Sequence, residues 1–161
     1  MTIEEYNQAV DDFSDGLYRF ILKNIEDEEK AKDIIQDTYE KLWRRIETVT
    51  YEKVKSYLFT AAYHTMIDMI RKERRNTDIR EQELERYSHN EQYTDLNEIL
   101  NEALYRLPEV QRSVILLRDY EGYSYKEIAE ITGLNESQVK VYIYRGRMFL
   151  KQYIGKIETI V

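Results

Sequence analysis

Two helix-start signals separated by one glycine-centred break confine the stretch from Gly122 to Leu150 to a pair of helices joined by a short turn. Ser124, with Glu127 three residues on, has the form of a capping box, in which hydroxyl and carboxylate each take an orphan backbone amide. This predicts a helix from about Tyr125 whose apolar side carries Ile128, Ala129 and Ile131. Gly133 can take positive φ, and Asn135 with Gln138 offers a second cap. A turn this short, with small Ala129 at the crossing, is the helix-turn-helix pattern, whose second helix enters the major groove of DNA. A helical hairpin that merely packs would share the turn, so charge decides. From Ser137 to Ile157 the chain carries Lys140, Arg145, Arg147, Lys151 and Lys156 and no acidic residue. Val139, Tyr142, Ile143, Gly146 and Leu150 form an apolar stripe at helical spacing, which leaves Ser137, Lys140, Tyr144, Arg147 and Lys151 opposite. Base readers come from the N-terminal part of the second helix, so Ser137, Lys140, Val141 and Tyr144 are the candidates. Gln138 is a weaker one, because its amide can be spent on the cap. Arg145 and Arg147, farther along, are assigned to phosphate.

A net charge of −7 sits awkwardly with DNA binding, which draws its non-specific affinity from neutralised phosphates. The distribution resolves part of this. Residues 1–75 hold 13 basic and 16 acidic groups, 76–100 hold 2 and 7, and 101–161 hold 9 and 8, so the acid surplus is concentrated in the middle. Such a chain binds DNA weakly alone and needs another body to deliver it. No apolar run approaches the ~20 residues of a bilayer span, and no signal peptide opens the chain, so a cytoplasmic protein without membrane insertion is expected. With no cysteine and only His64 and His89 as histidines, neither a metal site nor a cofactor is expected.

Apolar periodicity predicts an all-α fold of two small helical domains, 1–75 and 95–161, joined by a flexible acidic linker over 76–94. Thr2 with Glu5 caps a first segment, and Tyr6, Val10, Phe13, Leu17, Phe20 and Ile21 continue it as two short helices broken near Asp15-Gly16. Ala31, Ile34, Ile35, Leu42, Trp43 and Ile46 mark a longer helix, with Trp43 on its core side and Asp33, Gln36, Asp37 and Glu40 on its outer face. Leu58, Ala61, Ala62, Met66, Met69 and Ile70 mark a third, which ends in Arg71, Lys72, Arg74 and Arg75. Those cations suit a helix C-terminus, but with Tyr51, Tyr57, Phe59 and Tyr63 upstream they also combine stacking surface and phosphate-binding charge, as single-stranded nucleic acid requires. Asp95 is expected to cap a helix through Leu96, Ile99, Leu100, Ala103, Leu104 and Leu107. Pro108 is expected to open the next, a nearly all-apolar helix that Gly122 ends.

The run Leu107-Pro108-Glu109-Val110-Gln111-Arg112 through Leu117-Arg118, Glu121-Gly122-Tyr123-Ser124-Tyr125-Lys126-Glu127-Ile128-Ala129-Glu130, Gly133, Val139-Lys140 and Arg145-Gly146-Arg147 resembles the C-terminal DNA-binding region of extracytoplasmic-function sigma factors. Upstream, Ala31-Lys32-Asp33-Ile34-Ile35-Gln36-Asp37-Thr38-Tyr39 with Leu42-Trp43, and Tyr57-Leu58-Phe59-Thr60-Ala61-Ala62 with Asp68 and Arg71-Lys72, are similar to that family's region 2. The resemblance implies a dissociable initiation subunit of bacterial RNA polymerase, which supplies the missing delivery to DNA. It further implies that Asp33, Gln36, Asp37 and Glu40 dock the polymerase clamp, with the flap as a second contact of the core enzyme. The loop through Tyr51, with Tyr63, His64, Arg71, Lys72, Arg74 and Arg75, would hold the unpaired −10 strand of promoter DNA. Arg118, Lys126 and the helix from Glu136, with Ser137, Gln138, Lys140, Val141, Tyr144, Arg145 and Arg147, would take the −35 duplex. Glu81, Glu83, Glu85 and Glu91 would imitate a polyanion in a channel of the polymerase, against a plain spacer. The chain has His64 where the family often has asparagine, and Val141, Tyr142 and Tyr144 are bulkier or more apolar than the family's usual recognition residues. An anti-sigma factor is a further possible partner. A stand-alone helix-turn-helix regulator is the alternative. No glycine-rich phosphate loop or nucleophile constellation points to an enzyme.

Overall fold

The computed structural model describes residues 1–76 and 96–160, the latter with side chains to Lys156, and every element among them is helical. The expected linker, the glutamates Glu81, Glu83, Glu85 and Glu91, and the Asp95 cap lie outside the described residues.

The first unit is three helices. Helix α1, Ile3–Ile25, begins in the expected capping box, Thr2 Oγ1 accepting from the Glu5 amide at 3.1 Å while Glu5 takes the Thr2 amide at 2.9 Å. The expected break at Asp15-Gly16 is absent and α1 runs straight through it. A mid-helix glycine costs only about 1 kcal/mol, which the burial of Leu17, Phe20 and Ile21 on its far side outweighs. Helix α2, Glu28–Arg44, is capped by Asp27. A 3-10 turn at Tyr51–Lys53 leads into α3, Val54–Asn76, which buries Val54, Leu58, Ala62 and Met66.

The second unit has four helices. Helix α4 spans Leu96–Arg106, and α5, Glu109–Ile115, continues into one π turn over Leu116–Tyr120. Pro108 is the N-cap of α5 in an extended conformation (ψ 143°), so the helix starts one residue later than expected. Gly122 then reverses the chain at φ +76°. Helix α6, Tyr125–Thr132, starts in the Ser124/Glu127 capping box and stops at Gly133, whose φ of +80° is the left-handed conformation that the turn requires. Helix α7, Glu136–Ile160, follows after a reciprocal cap: the Asn135 amide donates to Gln138 Oε1 at 3.0 Å, and the Gln138 amide donates to Asn135 Oδ1 at 2.8 Å.

The expected apolar stripe of α7 is buried through Val139 and Ile143, and Gly146 is buried against Ile115 of α5. A Cβ at Gly146 would stand 2.2 Å from Ile115 Cδ1. The two units do more than share a tether. Phe20, Phe59 and Tyr123 form a ring ladder from α1 through α3 to the turn before α6, with centroids 5.7 and 5.2 Å apart, so one hydrophobic core runs through both units.

Candidate nucleic-acid interface

Fixed from behind by Val139 and Ile143, α7 turns Ser137, Lys140, Val141, Tyr144, Arg145 and Arg147 to solvent. Tyr144 is 66% exposed and Val141 44%, so a large ring and a branched side chain stand on the outward face of α7. Gln138 is spent as its position implied: its side-chain oxygen closes the helix start.

The surrounding cations are organised by a residue that the sequence reading overlooked. The Tyr125 ring lies 4.6 Å from the Arg118 guanidinium carbon and 5.5 Å from Lys140 Nζ. Arg118 also donates to the Tyr123 carbonyl at 2.9 Å. Arg147 makes a two-pronged pair with Asp119, its Nε to Oδ2 at 3.1 Å, and that bond holds its guanidinium above the usual value. Tyr125 thus gathers cations from α5 and α7 at the head of α6. The available signal was its position as the first residue after a cap between two basic segments. Lys126, next along, is exposed.

On the first unit, His64, Arg71, Lys72, Arg74 and Arg75 are exposed on α3. Tyr51 is half-buried, its hydroxyl donating to Asp12 Oδ2 at 2.7 Å. Tyr63 needs a correction: expected to face a DNA strand, it is only 5% exposed. It shares the buried face of α3 with Phe59, Met66 and Ile67, and burial foremost pushes its hydroxyl pKa up, with Glu109 of the second unit adding to that. Arg74, though solvent-facing, is held by Glu109 across the unit boundary through bonds of 3.0 and 2.6 Å.

Along α2, Asp33, Gln36 and Glu40 are exposed, and the half-exposed Asp37 pairs with Lys41 at 3.0 Å. Trp43 corrects a second expectation. Placed by periodicity in the core, it is 50% exposed at the last turn of α2, with the Tyr6 ring packed on the indole edge to face at 5.2 Å. Trp43 therefore extends the Asp33–Glu40 face. No group of metal-ligating side chains occurs among the described residues, and none of their helices is long and apolar enough to cross a membrane.

Comparison with known proteins matches both halves. Residues 9–76 fit the family model for sigma-70 region 2, and residues 97–150 fit that for sigma-70 region 4. The chain is 30% identical over 151 residues to RNA polymerase sigma factor SigV of Bacillus subtilis, covering 92% of this chain and 90% of that one. It is 34% identical over 137 residues to sigma factor YlaC of the same organism, covering 80% and 79%. The fold is also that of the sigma factor RpoE of Bartonella quintana, solved in complex with the anti-sigma factor NepR, at a TM-score of 0.75 and 23% identity over 95% of this chain and 98% of that one. With both region models matched in order and relatives similar over nearly their full length, this chain belongs to the sigma-70 family, in its extracytoplasmic-function branch.

Proposed function

We propose that the chain binds core RNA polymerase in the cytoplasm, brings it to promoters by reading −35 and −10 elements, and helps to melt the DNA. The observation that carries this is α7, a helix with a basic and aromatic outer face, capped at its start and locked against α5 at Gly146. In this reading Lys140, Ser137, Val141 and Tyr144 read base edges, while Arg118, Lys126, Arg145 and Arg147 contact phosphate. Residues 1–75 hold the polymerase through Asp33, Gln36, Asp37 and Glu40 and the −10 strand through Tyr51, His64 and the basic end of α3. An anti-sigma factor, such as the partner in the Bartonella quintana complex, is a candidate for restraining it. Run-off transcription with purified core polymerase on a promoter library tests the reading, and no promoter-specific transcript over core alone would defeat it.

Two classes of substitution should separate. Lys140→Ala is expected to cost about 1–3 kcal/mol and to relax discrimination at one or two −35 positions, whereas Arg118→Ala weakens every promoter alike and lowers the salt slope by about one. Holoenzyme affinities over a −35 single-base library at several salt concentrations check this. A uniform loss with parental base preferences would make Lys140 a phosphate contact.

On the first unit, Asp33→Arg with Asp37→Arg should weaken core binding while leaving the fold intact, since both side chains stand on the outer face of α2. Reversing two rim charges is worth a few kcal/mol at most at an interface, mainly through slower association. A pull-down with unchanged polymerase retention and unchanged circular dichroism would remove these residues from the docking face.

A further inference from the structure

Cations on this protein are held in two different ways. Arg19 grips Glu121, Arg74 grips Glu109 and Arg147 grips Asp119, each with a nitrogen–oxygen contact of 2.5–2.6 Å. Arg118 and Lys140 have no such partner. Neither makes an ion pair among the described residues, and both stand instead against the Tyr125 ring, the guanidinium carbon 4.6 Å and the ammonium nitrogen 5.5 Å from its centre. The carboxylates close to them in sequence are engaged elsewhere: Asp119 with Arg147, Glu121 with Arg19, and Glu127 with the Ser124 amide.

The two holds differ in what they leave available. A carboxylate fixes a cation but cancels its charge and occupies its N–H donors. A ring face fixes it through the quadrupole alone, so the charge and the donors that point away from the ring remain open to a third body. Arg118 has one further tie, a hydrogen bond to the Tyr123 carbonyl at 2.9 Å, which also leaves its charge intact. Two like charges gathered on one ring repel each other, and a nearby anion relieves that repulsion. The ring itself is firmly placed. Tyr125 is the first residue of α6, directly after the Ser124/Glu127 capping box, and is half-buried against the hydrophobic core. It draws Arg118 from the π turn that extends α5 and Lys140 from the start of α7, so it sets the spacing between them.

We propose that Tyr125 is a positioning residue for −35 binding, its ring aiming Arg118 at the phosphate backbone and Lys140 at a base edge while leaving both charged. The inference rests on the sigma-factor reading of α7 and adds to it a side chain that acts through its two cations. A ring that merely fills space at the head of α6 would have the same shape but no electronic role, and fluorination separates the two. Tyr125→Phe, followed by para-fluoro, difluoro and trifluoro phenylalanine at the same position, keeps the ring nearly constant in size while withdrawing electron density from its face. Holoenzyme affinity for promoters of the −35 library should fall with each fluorine, by about tenfold across the series, because two cation contacts weaken together. Base discrimination should relax at the positions that Lys140→Ala relaxes. A flat series overturns the proposal. So does a slope that survives in the Arg118→Ala/Lys140→Ala background, where the ring has no cation left to aim.

Tyr125→Glu supplies the opposite control. A carboxylate in the first turn suits the helix start and holds both cations, but it neutralises them, so −35 affinity should fall below that of Tyr125→Leu. Binding by Tyr125→Glu as tight as that of Tyr125→Leu, with core polymerase retained in a pull-down and parental circular dichroism, counts against the proposal in the same way. A parent holoenzyme with no −35 preference is a separate failure, that of the sigma-factor reading, and the role of Tyr125 falls with it. The geometry is then judged on the free protein by nuclear magnetic resonance: the Arg118 and Lys140 side-chain protons should be shifted upfield by the ring and lose that shift in Tyr125→Leu, and unshifted protons in the parent overturn the contact itself.

Discussion

Phe20→Ala is expected to lower the stability of the whole chain by about 3–5 kcal/mol, enough to drop Tm by roughly 10 °C for a protein of this size. Phe20 is 1% exposed and stands at the first rung of the ladder that passes through Phe59 to Tyr123. Removing the ring forfeits its transfer free energy and leaves a cavity between helices that α1 packing holds apart, so collapse around the void is limited. Because the ladder crosses from one unit to the other, the loss should register in both. Trp43 is the only tryptophan and lies in the first unit, so its fluorescence reports that unit while far-UV circular dichroism reports all the helices. The two melting curves should coincide in the parent and shift together in the variant. A loss below about 1 kcal/mol, or a shift seen by tryptophan alone, would mean that the units do not share a core.

What the sequence showed and what it withheld divide by range. Thr2 with Glu5, Ser124 with Glu127, and Asn135 with Gln138 were legible because a cap is decided within four residues, and the structure closes all three. Gly133 was legible for the same reason: a turn after α6 demands positive φ, and glycine supplies it. Periodicity found the helices and failed at their ends and crossings. It put Trp43 inside because Leu42 and Ile46 flank it, yet burial there depends on whether a neighbour reaches the last turn of α2. It put a break at Gly16 because a helix alone would pay for the glycine, whereas the packed helix does not need to stop. Tyr63 was placed by its basic neighbours, and lies instead on the face that α3 buries. Asn24 carried no local signal for its side-chain oxygen, which accepts from Arg112 and Ser113, 88 and 89 residues along the chain. Arg147 was assigned to phosphate from its place along the helix, and only three dimensions show its pairing with Asp119. The outward face of α7 was readable because its inward face was.

The second large effect is expected at Gly146, where function and packing meet. Gly146→Leu should cost about 3 kcal/mol and reduce −35 affinity at least tenfold, while polymerase binding through the first unit persists. A Cβ there would fall 2.2 Å from Ile115 Cδ1, 3.3 Å from Ile115 Cγ1 and 3.7 Å from Leu107 Cδ1. Ile115 is 1% exposed in a close-packed interior, so the larger side chain is expected to lift α7 from α5. Lys140 then leaves its place beside Tyr125 and the Arg118 guanidinium, and in the function proposed above α7 loses its register with the cations assigned to phosphate. Gly146→Ala should be milder, because about 1 kcal/mol of helix propensity offsets part of the clash. The pair Gly146→Ala with Ile115→Val tests the geometry: removing Cδ1 takes away the nearest obstacle, so the double variant should be more stable than the two single losses predict, a coupling of about 1 kcal/mol between residues thirty-one positions apart. Strict additivity in thermal melts, or a Gly146→Leu protein with parental Tm and parental −35 selectivity, would show that α7 is not seated on α5 at this glycine.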